Sequence, residues 1–276
     1  MSSTRQYIYL IKICVNWFYS IKHLVAPPSP NQNPKVKDLP PPRNFFTLSN
    51  FVKYKYLYDM EYFNLMWDST DKISRVQIEL TNYCNARCNM CEREQVHNGD
   101  MEGGPEVHLN NRFLTLKEIE KAFSGDWNAL YKVAFIGSVD EPTINPEIFE
   151  IIEFFQKKFH GHNEITIATN GGARNEEFWS RMGKISYEHN NQFNMSFYVI
   201  FGIDGLEDTN HLYRKNVKWD ILQRNFRAYI SGGGIATWQF IPFSWNKHQI
   251  EDTREFAKKE GFDNFIILDS IRGEKE

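Results

Sequence analysis

The sequence is poor in cysteine: Cys14, Cys84, Cys88 and Cys91 are the only four in 276 residues. That is too few for a disulfide scaffold. It also lacks a strong charge of one sign. Lys and Arg number 32 against 35 Asp and Glu, a formal net charge of −3. Such a balance gives no electrostatic footing for nucleic acid or for a polybasic membrane contact. No uncharged apolar run reaches the roughly 18 residues of an ordinary membrane-spanning helix. What is plentiful is aromatic: 15% of residues, which excludes a highly charged disordered chain. The length suits one domain, or one domain with a small appendage.

The four cysteines are unevenly placed. Three lie within residues 84–91. Proline is equally uneven, with seven of 11 between Pro27 and Pro42. That stretch cannot be helix or central strand, because proline lacks the N–H and fixes φ. We therefore expect an N-terminal amphipathic appendage at 1–26, a Pro-rich linker at 27–44, an aromatic-rich lead-in at 45–73 and the main domain at 74–276. Within the appendage, residues 7–26 are interrupted by Lys12, Asn16, Lys22 and His23. They can lie on a membrane or partner, or else pack as a helix on their own domain or form an upstream extension of little consequence. The second reading is preferred, and no membrane contact is expected. The apolar run at 13–18 is short for a signal-peptide core, and the prolines after Ala26 are no small-residue cleavage site. Unpaired thiols without an export signal point to the cytoplasm. The lead-in carries Phe45, Phe46, Phe51, Tyr54, Tyr56, Tyr58, Tyr62, Phe63 and Trp67. We expect it to pack on the domain rather than to stack RNA.

From residue 75 strand and helix signals alternate. Strands are expected at 76–80, 131–136, 165–169, 195–203, 235–241 and 265–268. Helices are expected at 114–123, with a Thr115–Glu118 capping box, and at 147–159, with Asn145 as N-cap and Pro146 in the first turn. Further helices are expected at 175–182, at 219–230 before three glycines, and at 247–260 before Gly261. Six strands alternating with five helices imply a parallel sheet with right-handed crossovers, an α/β partial (βα)6 barrel. Reactive groups in such folds sit at the carboxyl ends of strands. Four polar or glycine-rich exits should then converge on one rim: 82–84, 137–142, Asn170-Gly171 and Asp204-Gly205.

The first exit carries Cys84-Asn85-Ala86-Arg87-Cys88-Asn89-Met90-Cys91, a C-x3-C-x2-C run. Closely spaced thiolates on a loop suit iron or zinc. A [4Fe–4S] cube takes four protein ligands, and this loop offers three. Cys14, across the linker, is a poor fourth. A cube held here would keep one iron open, where an amino acid could chelate through its amine and carboxylate.

This loop resembles that of the radical S-adenosylmethionine (radical SAM) superfamily. Residues 137–142 are similar to the family's Gly-Gly-Glu-Pro segment, and Thr169-Asn170-Gly171 to its third-strand exit. Ile203-Asp204-Gly205 with Tyr213-Arg214 resembles the Asp-Gly…Arg region of the peptide- and cofactor-maturing branch. The resemblance spans roughly residues 74–270. It implies that Cys84, Cys88 and Cys91 hold a [4Fe–4S] cluster that binds S-adenosylmethionine. One-electron reduction, from a donor such as a flavodoxin or ferredoxin, would then yield methionine and a 5′-deoxyadenosyl radical that abstracts hydrogen from a substrate, in this branch often a peptide. It also implies that Glu141 helps hold the methionine amine and that Asn170 contacts the ribose or carboxylate. Arg214 is implied for the methionine carboxylate, Asp204 for a turn or the substrate side, and the backbone around Met90 for the adenine.

Two departures stand out. Met90 occupies the usual aromatic position, and a thioether can also pack on adenine. Asp140 replaces the second glycine, which matters if the backbone there needs φ > 0. Members with extra clusters carry further cysteines after the sixth strand. None follow here, which fits a minimal single-cluster core or a chain that continues into another domain. The alternative to an enzyme is a non-catalytic metal module, either iron–sulfur or a zinc site of Cys84, Cys88, Cys91 and His97. The zinc site leaves the other exits unexplained. His108, His160, His162, His189 and His248 show no ligand spacing and read as surface residues.

Overall fold

The computed structural model describes residues 11–14, 74–91, 93, 112–136, 140–159, 163–192 and 196–268, with backbone alone for 11–14 and 192. The linker, the aromatic lead-in, His97, His108, His160 and His162 lie outside the described residues.

Seven strands form one sheet in the order of the chain. They are β1 (Ile11–Cys14), β2 (Arg75–Ile78), β3 (Lys132–Phe135), β4 (Glu164–Thr169), β5 (Ser196–Gly202), β6 (Ile235–Phe240) and β7 (Asn264–Ile267). β2 to β7 pair in parallel, the six-stranded expectation. Between them run α1 (Leu116–Ala122), α2 (Ile148–Lys158), α3 (Glu176–Gln192), α4 (Asn210–Tyr213), α5 (Trp219–Ser231) and α6 (Ile250–Lys259). Because neighbours in sequence are neighbours in the sheet, right-handed crossovers place the helices on one face. The sheet therefore curls as an open partial barrel with its strand exits on one rim.

The strand pattern explains the core. Val76 pairs Val133, Val133 pairs Ile165, and Ile165 pairs Phe197, so four buried apolar side chains form one row. Alternate positions on the other face are polar and partly open, as with Gln77, Lys132, Glu164 and Gln239. Alternation at period two, with one face buried, holds this register. The last strand is least covered: Ile266, Ile267 and Leu268 are all exposed.

Local signals hold at several ends. Thr115 caps α1, with Glu118 closing the capping box. Gly261, at φ +90°, follows α6. Three expectations need correction. Ile11–Cys14, in the expected amphipathic appendage for which a packed helix is one reading, is a strand antiparallel to β2. Four residues at a sheet edge carry too short a pattern to separate the two. α3 runs on to Gln192 instead of ending near Met182. Gly183 is not a stop there but a crossing point. A side-chain carbon on it would lie 2.2 Å from the Tyr229 carbonyl oxygen and 3.0 Å from the Gly232 Cα. His189 is buried, not on the surface. Its ring nitrogens meet Asn163 Oδ1 at 3.1 Å and Gln156 Nε2 at 2.9 Å, and it packs edge-on against Phe197. Burial lowers its pKa to about 4.

Candidate cluster and cofactor site

β2 delivers the cysteine loop. Thr81 bridges to Phe113, and the Tyr83 N–H donates to Thr81 Oγ1 at 3.0 Å. Cys88 and Met90 are buried, while Cys84 and Cys91 are half-buried, and none of the three cysteines is in a disulfide. The loop turns on a Cys91 N–H to Cys88 carbonyl bond of 3.0 Å. The expected convergence of exits is present. The Glu141 N–H donates to the Tyr83 carbonyl at 2.9 Å, and the Arg87 N–H to the Lys215 carbonyl at 3.0 Å. The cysteine loop is thus tied to the exit of β3 on one side and to the segment after α4 on the other.

Glu141 binds the exits of β3 and β4 together. It is 1% exposed. Its Oε1 accepts from Thr143 Oγ1 and Thr169 Oγ1, both at 2.6 Å, and its Oε2 accepts from the Asn170 N–H at 2.8 Å. All these donors are neutral. Burial pushes the carboxyl pKa up, and the hydrogen bonds only partly counter it.

Asn170 continues the chain of contacts. Its Nδ2 donates to Asn85 Oδ1 at 2.9 Å and lies 3.5 Å from Cys84 Sγ. Its Oδ1 accepts from the Gly172 N–H at 2.8 Å, tightening the turn. Gly171 stands at φ +67°, and a side-chain carbon there would lie 2.6 Å from Leu222 Cδ1. Glycine is needed at that position for both conformation and space.

Asp204 and Arg214 form the opposite wall. Arg214 Nε donates to Asp204 Oδ2 at 2.6 Å, and Asp204 Oδ1 accepts from the Ile241 N–H at 2.7 Å. Asp204 is fully buried and its two oxygens both have protein donors. Burial works against the guanidinium charge. Asp204, then Cys88 and Tyr213, outweigh it, so the Arg214 pKa is raised.

Asp140 does not bring the feared distortion. Among non-glycine residues only Arg174 and Asn216 have positive φ in the described chain. Asp140 Oδ2 accepts from the Leu80 N–H at 3.0 Å, a second tie between the exits of β2 and β3. Burial, then Glu79 and Glu141, push its carboxyl well above the usual range. Its Oδ1 is buried without a hydrogen-bond partner among the described residues. Residues 137–139 lie outside the described residues.

Sequence reasoning missed the clamps beneath this rim. Asn145 Nδ2 donates to the Leu80 and Leu114 carbonyls, both at 2.8 Å. Asn246 Nδ2 reaches the Asp204 and Ile241 carbonyls, and Asn225 Nδ2 those of Gly171 and Ala173. Arg174, at φ +70°, donates to the carbonyls of Thr143, Ile144 and Asn145. Asn145 had shown only a capping signal, and there the expectation needs correction: Glu147 is the N-cap of α2, with no side-chain capping bond, and Asn145 stands two residues earlier, its Oδ1 accepting the Glu147 N–H at 2.8 Å.

The donor set fits a metal cluster. Burial, then Glu141, pushes the Cys84 thiol pKa up. A bound cation reverses that preference and holds the thiolate. Among the described residues no three His, Cys, Asp or Glu side chains are placed to hold a single metal ion. The family model described as the radical SAM superfamily matches residues 78–257, well over half the chain.

The chain belongs to the radical SAM superfamily.

Membership implies a [4Fe–4S] cluster and S-adenosylmethionine as cofactors. The radical SAM fold recurs in anSMEcpe solved with bound AdoMet. The two agree at TM-score 0.53 and 19% identity, over 74% of this chain and 53% of that one. SuiB of Streptococcus suis, bound to S-adenosylmethionine, matches at TM-score 0.52 and 15% identity, over 72% of this chain and 40% of that one. A curated relative is the tungsten-containing aldehyde ferredoxin oxidoreductase cofactor-modifying protein of Pyrococcus furiosus. It is 25% identical over 111 residues, 40% of this chain and 28% of its own length. The chain thus spans about half or less of these relatives. The cysteine loop leaves the first parallel strand, β2. No helix of the described residues is long and apolar enough to cross a membrane.

Proposed function

We propose that the chain is a radical SAM enzyme whose Cys84, Cys88 and Cys91 hold a [4Fe–4S] cluster. The observation that carries this reading is the single network joining the cysteine loop to the other exits, from Cys84 Sγ through Asn170 to Glu141. A cluster held by Cys84, Cys88 and Cys91 would, when bound and reduced, supply the electron for reductive cleavage of S-adenosylmethionine and so hydrogen abstraction from a substrate. Around it, this chain's residues bind and orient. Glu141 and the orphaned Asp140 Oδ1 favour a cationic group at their exit, which suits the methionine amine. Asn170 is assigned to the ribose or carboxylate, and Met90 with its backbone to the adenine. Arg214 is assigned to the methionine carboxylate, with Asp204 orienting it. The partly polar concave face of the sheet offers the substrate side. A peptide is the substrate class proposed, since SuiB has also been solved with its precursor peptide SuiA. A flavodoxin or ferredoxin is the proposed reductant, and the cytoplasm the proposed compartment.

Anaerobic reconstitution with iron and sulfide, followed by dithionite and S-adenosylmethionine, tests the reading. Cluster absorbance and 5′-deoxyadenosine are expected, and Cys88→Ala should abolish both. A reconstituted, reduced chain that forms no 5′-deoxyadenosine would sink it.

A further inference from the structure

The wall formed by Asp204 and Arg214 holds a charge next to the cysteine loop. The Arg87 N–H bonds to the Lys215 carbonyl, so the residue before Cys88 is tied to the residue after Arg214. Cys88 is buried and interacts electrostatically with the Arg214 guanidinium. Gly202 makes room for that guanidinium, since a side-chain carbon there would lie 2.7 Å from Arg214 Nη2. The counter-charge is immobile. Asp204 is held by the Ile241 N–H and Arg214 Nε at its side chain, by Asn210 Oδ1 at its N–H and by Asn246 Nδ2 at its carbonyl. The site therefore sets a fixed cation beside the Cys88 end of the cysteine loop, and a fixed anion partly cancels its charge.

We infer that the Arg214–Asp204 pair sets the reduction potential of the cluster, Arg214 raising it and Asp204 lowering it. This rests on the proposed cluster ligation by Cys84, Cys88 and Cys91. Adding an electron makes a cluster more negative, so a nearby cation favours the reduced form and a nearby anion the oxidised form. Local charge and burial are among the levers that set iron–sulfur potentials. In a buried site such charges are weakly screened. The pair thus acts on the cluster itself, apart from any contact that Arg214 makes with S-adenosylmethionine.

The experiment is a redox titration of the reconstituted full chain, followed by EPR of the reduced cluster, without S-adenosylmethionine. Iron content and thermal melts accompany each variant. Arg214→Gln should shift the midpoint to more negative potential, and Asp204→Asn to more positive potential. Arg214→Lys should recover most of the Arg214→Gln shift, and the double variant should lie between the two singles. If Arg214→Gln does not fold, the positive shift of Asp204→Asn decides alone. A purely structural pair would move both single variants in one direction or neither. Either result, with iron content intact, overturns the inference. A parent chain that takes up no cluster overturns the ligation reading instead, and is seen in the first sample.

Discussion

The two ends of the barrel handle buried polarity differently. At the strand entrances, polar groups satisfy one another. Glu164 pairs with Lys132 and accepts from Tyr198 OH at 2.6 Å and Thr166 Oγ1 at 3.0 Å, and His189 is bracketed by Asn163 and Gln156. Burial raises the Glu164 pKa, but these partners outweigh it and the net shift is downward. At the strand exits, carboxylates with 1% exposure or less carry charge into the protein. There the two walls also differ. Glu141 has only neutral donors and no cationic partner, and burial raises its pKa. Asp204 has a guanidinium, so its site is close to neutral. Entrances are built for stability, whereas the Glu141 exit leaves a buried carboxyl without a cationic partner, a place that a charged ligand can use.

The largest expected effect breaks the neutral wall. Asp204→Ala leaves a buried guanidinium uncompensated and the Ile241 N–H unpaired. It should cost about 3–5 kcal/mol of stability, read from urea melts of the apo chain. Glu141→Gln should separate the walls. It removes a buried charge that lacks a cationic partner, so the apo chain should change by less than about 1 kcal/mol. S-adenosylmethionine affinity, measured by calorimetry, should fall at least tenfold, about 1.4 kcal/mol. If Glu141→Gln instead unfolds the chain as Asp204→Ala does, the contrast between the walls fails.

The entrances are probed by acid. The folded pKa of His189 is lowered to about 4 from the ordinary imidazole value of about 6.5. The unfolded chain therefore takes up a proton that the folded chain refuses. Its contribution is fully present above about 6.5 and is lost as pH falls toward 4, with a slope of at most about 1.4 kcal/mol per unit. Denaturant midpoints at pH 7 and pH 5 should show the drop, and His189→Gln should flatten it. The smallest effect belongs to Glu164→Gln. Its ion pair is about one-quarter exposed on both sides, so the loss should stay under about 1 kcal/mol. Affinity for S-adenosylmethionine should be unchanged, and a weakened affinity would undo the division between the two ends.

Much of the fold was legible because its signals are local. The Thr115 capping box, the apolar alternation of β4 and β5 and the Gly261 stop each read from a few neighbouring residues. So did the cysteine spacing and the order of the four exits. Other features were hidden because their partners are distant in sequence. α3 reads as a short helix ending near Met182 until α5 is laid across Gly183. His189 reads as surface until Asn163, Gln156 and Phe197 enclose it. Asn145 reads only as a cap, and Asn225 and Asn246 carry no local signal, until the fold brings backbone carbonyls of other segments to their amides. β1 is four residues whose partner lies some sixty positions away.

The sequence by itself determined the α/β order, the three-thiol loop after the first parallel strand and the family they mark. These depend on spacing along one stretch of chain. Tertiary structure alone decided which charges are compensated. Neutral donors surround Glu141, a guanidinium answers Asp204, and Asp140 ties back to Leu80. The strength of a charge depends on burial and on neighbours brought from other strands, and no local pattern encodes those.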